Sequence, residues 1–176
     1  MRLFVGLAAD HLATEVTSRL SELTPPAGGR LVPAEMWHLT LAFLGEMPDV
    51  ALSAITRRVE EYALGQPPMG ISFGRVGAIG RRPPIRVWAL SSDSDRAKAA
   101  IQRAQAMFRP WLPARELRRP PLVHLTLARG QWATEPKGHA VDPPIAFHPG
   151  PVVLYQSHMQ PAGVRYERLA TFHLAR

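Results

Sequence analysis

Apolar and polar residues alternate most clearly in two stretches of the sequence, from Trp37 to Gly45 and from Val123 to Gly130. Such alternation is typical of a half-buried β-strand, and both stretches contain the same five residues, His-Leu-Thr-Leu-Ala. Because successive side chains of a strand point to opposite faces, each copy should carry its histidine and threonine on one face and its leucines on the other. The same rule predicts Phe43 on the leucine face.

The spacing of the two copies indicates a chain built from two similar halves. His38 and His124 are separated by about half of the 176 residues. Each half would then contribute one His-x-Thr strand to a shared site.

The rest of the pattern predicts helices and strands in succession. Helices are expected over residues 10–23, over 49–63 and from a cap at 91–93 to about 108. Further strands are expected near the N-terminus and over residues 69–76, 85–90, 151–158 and 164–174, with a turn at 160–163 and a surface loop at 131–142. Asp10 should cap the first helix, and Val50 should lie on the inner face of the second. Short turns between several strands favour an α+β fold with largely antiparallel sheets over a doubly wound parallel one.

Composition supports one soluble domain over residues 1–176, made of two lobes. The chain is 46% hydrophobic and 20% charged, as in an ordinary globular protein. No apolar run approaches the roughly 20 residues of a membrane-spanning helix, and the N-terminal segment is too short and too soon polar for a signal peptide. The absence of cysteine excludes thiol catalysis, disulfides and cysteine-based zinc sites. We therefore expect a cytoplasmic protein that does not associate with membranes.

The net charge of +7, from 21 Lys and Arg against 14 Asp and Glu, favours polyanionic partners such as nucleic acid. Two basic, proline-flanked connectors contribute to it, one around Arg81 and Arg82 and one around Arg118 and Arg119. A GC-rich genome would also produce an arginine-rich chain, so the charge alone does not identify the partner.

The doubled motif has the residues that a phosphodiester displacement needs. His38 and His124 suit a general acid–base pair, because an unperturbed histidine pKa lies near 6.5. The hydroxyls of Thr40 and Thr126 can donate hydrogen bonds to phosphate oxygens, and Arg129 can neutralise the charge that develops there. Strict alternation places Arg129 on the leucine face, so a strand twist, a bulge or its own length must bring it to the site.

Metal and cofactor chemistry have little support in the sequence. Threonine is a poor metal ligand, and the other five histidines lack ligand spacing. The phosphate-binding and nucleophile-elbow motifs of nucleotide-dependent enzymes and serine hydrolases do not occur. We expect no metal and no cofactor.

The two histidines are expected to have different roles. Arg129 should lower the pKa of the nearby His124 and favour the neutral form that a base needs. The carboxylate of Glu46 should instead stabilise a protonated His38. The hypothesis is therefore that His124 is the base and His38 the acid.

Several segments together resemble one known family. They are Arg2-Leu3-Phe4-Val5, His38 to Gly45, Arg86-Val87-Trp88, His124 to Arg129 and a closing stretch from Gln156 to Leu174. In this order they resemble the two-histidine (2H) phosphoesterases, and more closely the RNA 2′,3′-cyclic phosphodiesterases, also called 2′-5′ RNA ligases. Val123 departs from the proline that members commonly carry there, which changes the entry to the strand and not the chemistry.

This resemblance implies two pseudo-symmetric lobes of mainly antiparallel sheet, with outer helices, around a central cleft. It implies metal-independent hydrolysis of RNA 2′,3′-cyclic phosphate ends to 2′-phosphomonoesters, with weak 2′-5′ ligation. The catalytic residues would be His38 and His124, and the phosphate-binding residues Thr40, Thr126 and Arg129.

Alternatives remain open at this point. The substrate could be RNA ends such as tRNA fragments, cyclic nucleotides, small cyclic phosphates such as ADP-ribose 1″,2″-cyclic phosphate, or 2′-5′ oligoadenylate. A basic RNA-binding module without turnover is a third class, but binding alone does not require an acid–base pair. We expect a monomer.

Overall fold

The computed structural model describes residues 1–80, 83–161 and 163–175. The predicted basic pair Arg81–Arg82 and residue Ala162 of the predicted turn lie outside the described residues. The strands are β1 (Arg2–Ala8), β2 (Arg30–Leu31), β3 (His38–Glu46), β4 (Ile71–Ile79), β5 (Ile85–Ser92), β6 (Val123–Trp132), β7 (His139–Phe147), β8 (Val152–Gln160) and β9 (Gly163–Phe172). The α-helices are α1 (Ala13–Ser18), α2 (Leu20–Leu23), α3 (Leu52–Gly65) and α4 (Asp95–Met107). Short 3₁₀ helices occupy Asp10–Leu12, Ala34–Met36, Asp49–Ala51 and Arg109–Trp111.

The strands form one antiparallel sheet that is symmetric about its middle. The order is β7-β4-β5-β6-β3-β1-β8-β9, with β2 paired to β6, so four strands lie on each side of the junction between β6 and β3. All strand pairs in the described residues are antiparallel. The predicted α+β class with largely antiparallel sheets is confirmed.

The two halves of the sheet meet at the two motif strands. β3 and β6 are in register at a single residue pair, Leu39 opposite Leu125, and both leucines are buried. Helix α4 packs against β3 and α3 against β8, so the main core lies on the leucine face of the sheet. The histidines and threonines are therefore left on the opposite, helix-free face of the motif strands.

The predicted surface loop at 131–142 is wrong at both ends, and only residues 133–138 lie between strands. β6 continues to Trp132, and β7 already begins at His139. β7 also contains Pro143 and Pro144. It lies at the edge of the sheet, where a strand has one unpaired side and can accommodate residues that lack an N–H.

The helix caps also differ from the prediction. Asp10 makes no capping hydrogen bond, and its carboxylate lies 3.1 Å from the guanidinium of Arg168 instead. Ser94, and not residues 91–93, caps α4 by accepting a hydrogen bond from the Ala97 N–H. Val50 precedes α3 and is 88% exposed, so it does not belong to the inner face. No helix in the described ranges is long and apolar enough to cross a membrane.

Candidate active site at the junction of the two motif strands

Both motif histidines are oriented in the same way. Nδ1 of His38 lies 2.7 Å from the Met36 carbonyl oxygen, and Nδ1 of His124 lies 3.2 Å from the Leu122 carbonyl oxygen. A carbonyl can only accept, so Nδ1 must carry the proton and donate it. In each neutral imidazole this leaves Nε2 unprotonated and available to a ligand.

The register between the strands crosses the two motifs. Leu39 stands opposite Leu125 in an antiparallel pair, so His38 faces Thr126 and Thr40 faces His124 at the neighbouring positions. A small cavity is lined by His38, Thr126 and Arg129, in agreement with this register. Each histidine thus lies beside the threonine of the other motif.

A β-bulge brings Arg129 to the site. Ala89 of β5 pairs with Thr126 and the preceding Trp88 with Ala128, so Leu127 is an extra residue in β6. Leu127 and Ala128 are consequently both buried. The alternation is shifted by one residue, and Arg129 emerges on the histidine face. Of the three routes left open by the sequence, the bulge is the one that occurs.

A corresponding bulge in β3 overturns the predicted position of Phe43. Leu41 of β3 is the extra residue between the pairs Val5–Ala42 and Gly6–Thr40. Phe43 therefore leaves the leucine face and packs against a second apolar cluster around Phe4. In both motifs the signal was the Leu-Ala sequence after the threonine, two apolar residues in succession where alternation requires one.

Aromatic side chains surround His38, and sequence reasoning did not assign them to the site. Ring centroids lie 4.7 Å from His38 for Phe4, 5.5 Å for Tyr155 and 5.2 Å for Tyr166. The Tyr166 hydroxyl also accepts a hydrogen bond from Arg129 Nη2 at 3.3 Å. Tyr155 and Tyr166 belong to β8 and β9, more than 110 residues after His38 in the sequence, so only the sheet topology brings them together.

Comparison with known proteins agrees with this geometry. A model of the LigT-like phosphoesterases matches residues 5–89, which contain the first motif. Over these residues the chain is similar to the LigT-like phosphoesterases.

Two curated relatives carry the name RNA 2′,3′-cyclic phosphodiesterase. The one from Archaeoglobus fulgidus is 40% identical over 79 residues, 44% of this chain and 44% of the relative. The one from Geobacillus stearothermophilus is 25% identical over 173 residues, 93% of this chain and 55% of the relative. The matches span about half the length of these relatives.

Solved structures match the whole fold. E. coli LigT complexed with NADP⁺ is 27% identical, with a TM-score of 0.73 over 99% of this chain and 98% of that one. The protein TT0787 of Thermus thermophilus has a TM-score of 0.77 over the same shares at 24% identity, which shows a common fold.

The environment of this LigT-like site keeps both imidazoles neutral. The pKa of His38 is lowered from 6.5 to about 4, mainly by burial and also by the charges of His124 and Arg129, against the Met36 hydrogen bond, which raises it. Burial is also the main cause that lowers the pKa of His124, with contributions from Arg129 and Arg119. At neutral pH both side chains are therefore ready to accept a proton.

The predicted influence of Glu46 on His38 is wrong. Glu46 lies at the other end of β3, roughly 26 Å along the strand at about 3.3 Å per residue. Its carboxylate is 78% exposed and lies 3.9 Å from the N-terminal ammonium. Arg129 lowers the pKa of both histidines, so this arginine alone does not distinguish them.

Within the described ranges, no group of three or more His, Asp or Glu side chains is arranged to hold a metal ion. The residues gathered at the junction are instead hydrogen-bond donors and acceptors suited to a phosphate.

Proposed function

We propose that this protein hydrolyses RNA 2′,3′-cyclic phosphate ends to 2′-phosphomonoesters without a metal ion. The observation that carries the proposal is the crosswise register at Leu39 and Leu125, in which each histidine faces the threonine of the other motif. A phosphate between the strands would meet an imidazole and a hydroxyl from each side.

The reaction we propose is an in-line displacement at phosphorus. The base takes a proton from water, the water oxygen bonds to phosphorus and the bond between phosphorus and O3′ breaks. The acid gives its proton to O3′, which leaves a 2′-phosphate and a free 3′-hydroxyl. Thr40 and Thr126 would donate to the non-bridging oxygens, and Arg129 would neutralise their growing charge.

We assign His124 as the base and His38 as the acid, on a different basis from the sequence argument. Two arginines, Arg129 and Arg119, lower the pKa of His124, whereas among the arginines that the structure describes Arg129 is the one that lowers the pKa of His38. Arginine charge disfavours the protonated imidazole. Binding of an anionic phosphate would raise both pKa values, and we propose that His38 is the histidine that becomes protonated.

An activated leaving group tests these roles. A substrate whose leaving oxygen needs no proton should restore much of the activity of His38→Ala and little of that of His124→Ala. Rescue of the His124 variant instead would reverse the assignment.

We propose RNA ends as the substrate in preference to free mononucleotides. The guanidinium carbons of Arg2 and Arg115 lie 5.1 and 5.9 Å from the ring centre of Phe43, on the site face of β3. These cations would attract the phosphates that precede the cyclic end, and such binding weakens steeply with salt. We further propose that residues 1–176 act as one two-lobed monomeric unit, because a single copy contains both motifs.

The decisive assay is incubation of a 2′,3′-cyclic nucleotide and of a cyclic-phosphate-ended oligonucleotide with the protein in EDTA. We expect 2′-phosphate as the product isomer, with a higher kcat/KM for the oligonucleotide that falls as salt is raised. His38→Ala and His124→Ala should each lose about 10²–10⁴-fold in kcat/KM, while His139→Ala, the same change at the far edge strand, should be fully active. A 3′-phosphate product, or near wild-type turnover after loss of either motif histidine, would contradict the proposal.

A further inference from the structure

Tyr166 links the two motifs although it belongs to neither. It lies on β9, three strands away from β3 in the sheet order, a separation of about 14 Å in a flat sheet. Its ring centroid nevertheless lies 5.2 Å from that of His38. The sheet must therefore curve so that the site face of β9 turns toward β3 and β6.

The ring of Tyr166 covers His38 on one side. The two rings are nearly perpendicular, at 82°, and Tyr166 also meets Phe4 edge-to-face with centroids 4.9 Å apart. Phe4 and Tyr155 are almost completely buried beneath the imidazole. Tyr166 is half-buried and lines the small cavity of the site, so it forms the outer wall of an aromatic enclosure around His38.

The hydroxyl of Tyr166 contacts the other motif. It accepts a hydrogen bond from Nη2 of Arg129 at 3.3 Å. A guanidinium has five N–H donors in a fixed plane, so fixing one of them also fixes the direction of the rest. Arg129 is exposed, and without such a contact its long side chain would sample several rotamers.

We propose that Tyr166 is a positioning residue for this site: its ring excludes water from His38, and its hydroxyl orients the guanidinium of Arg129. The kinetic part of this inference rests on the proposed function, but the titration and the phosphate-binding parts do not. One residue on the last strand thus prepares both the proton-transfer group and the anion-binding group.

The titration of His38 separates the ring from the hydroxyl. The titratable and charged groups that face His38 are His124 and Arg129 from β6, Tyr155 from β8 and Tyr166 itself from β9. Tyr166→Leu removes the wall and admits water, so the pKa of His38 should rise from about 4 toward its ordinary value of 6.5 because the desolvation is relieved. Tyr166→Phe keeps the ring and should leave this pKa unchanged. NMR titration of the imidazole, assigned with a His38→Asn variant, measures both.

Binding of inorganic phosphate tests the hydroxyl. Tyr166→Phe should weaken phosphate binding about 2- to 13-fold, which is the range for loss of one hydrogen bond, and should raise KM for a cyclic nucleotide by a similar factor with little change in kcat. The control is Phe172→Leu, an aromatic replacement on the same strand that contacts the main core. It should lower the stability and leave both the His38 pKa and phosphate binding unchanged.

The outcomes distinguish this inference from the proposed function. An unchanged His38 pKa in Tyr166→Leu would overturn the role of the ring, and unchanged phosphate affinity in Tyr166→Phe would overturn that of the hydroxyl. A His38 pKa that rises equally in Phe172→Leu would reduce Tyr166 to a structural residue. All three results can be obtained even if the protein hydrolyses no cyclic phosphate.

Discussion

Gly6→Ala should impair catalysis without replacing any of the reacting groups. Gly6 lies on β1 opposite Thr40, next to the first motif. A Cβ added there would lie 3.1 Å from the Leu39 carbonyl oxygen and 3.3 Å from Cδ2 of His38. Both distances are shorter than ordinary van der Waals contact, so β3 or the imidazole must move by a few tenths of an ångström.

The imidazole has little room for this movement. Its Nδ1 is held 2.7 Å from the Met36 carbonyl, and aromatic rings from β1, β8 and β9 surround it. A displacement of 1 Å in an active site costs about 10²-fold in rate, so a few tenths of an ångström should lower kcat/KM about 3- to 10-fold. The corresponding position of the second half is Ala89, opposite Thr126, so the requirement for glycine belongs to the first motif.

The effect on stability should be modest. Overpacking costs about 1–3 kcal/mol, and replacing glycine returns about 0.4–1 kcal/mol by restricting the unfolded chain. The free energy of unfolding should therefore fall by about 0–2.6 kcal/mol, which lowers Tm by up to about 10 °C in a domain of this size. The variant should remain folded at 25 °C.

The assay compares kcat/KM on a 2′,3′-cyclic nucleotide with urea unfolding of the same samples. Gly65→Ala is the matched control, because a Cβ at this last residue of α3 meets nothing within 4 Å. It should keep full activity and equal or slightly higher stability. Full activity of Gly6→Ala with an unshifted His38 resonance would refute the argument that close packing against β1 fixes this histidine.

Four further predictions concern the site. His38→Ala and His124→Ala should each lower kcat/KM by about 10²–10⁴-fold in a chain that stays folded by circular dichroism; near wild-type turnover of either would contradict a paired acid and base. Thr40→Ala and Thr126→Ala should be milder, about 2- to 13-fold from the loss of one neutral hydrogen bond, and a loss as large as that of a histidine variant would assign the hydroxyl a different role. The pH dependence of kcat/KM should be bell-shaped with its maximum below pH 6.5, because the pKa values of both histidines are lowered. The base is lost by protonation as pH falls and the acid by deprotonation as pH rises, and each limb belongs to the coupled pair. A maximum above pH 7 would contradict this prediction. Activity should be unchanged in EDTA, and a loss that a divalent ion reverses would indicate a metal site.

The sequence was sufficient to predict the class of fold because the hydrophobic periodicity and the turn-forming residues are local properties of the chain. The alternation in His38–Gly45 and in its second copy predicts strands whatever lies beside them, since a strand with one buried face needs that pattern. The segment 131–142 shows the limit of the same reasoning. Its last residues belong to β7, whose Pro143 and Pro144 are tolerated because β7 is an edge strand, and a position in a sheet is not a local property.

Most residues of the site could also be predicted from the sequence, but their spatial arrangement could not. From the sequence alone, the two copies of a His-x-Thr strand at half-chain spacing identify four of the groups that we propose for the reaction. Whether Arg129 joins them depends on the bulge at Leu127 of β6, and a corresponding bulge at Leu41 moves Phe43 to the other face of β3. A bulge depends on how a strand pairs with its neighbour, and the hydrophobic periodicity of one strand does not reveal that pairing.

What the sequence determined by itself was therefore the reacting side chains and the strands that carry them. Only the tertiary structure decided their surroundings: the crosswise facing of histidine and threonine, the aromatic enclosure with Tyr166, and the separation of Glu46 from His38. The physical reason is that burial and charge act through space. His38 lies 128 positions before Tyr166 in the chain yet 5.2 Å from its ring, whereas Glu46, eight positions away, is too distant to act on it.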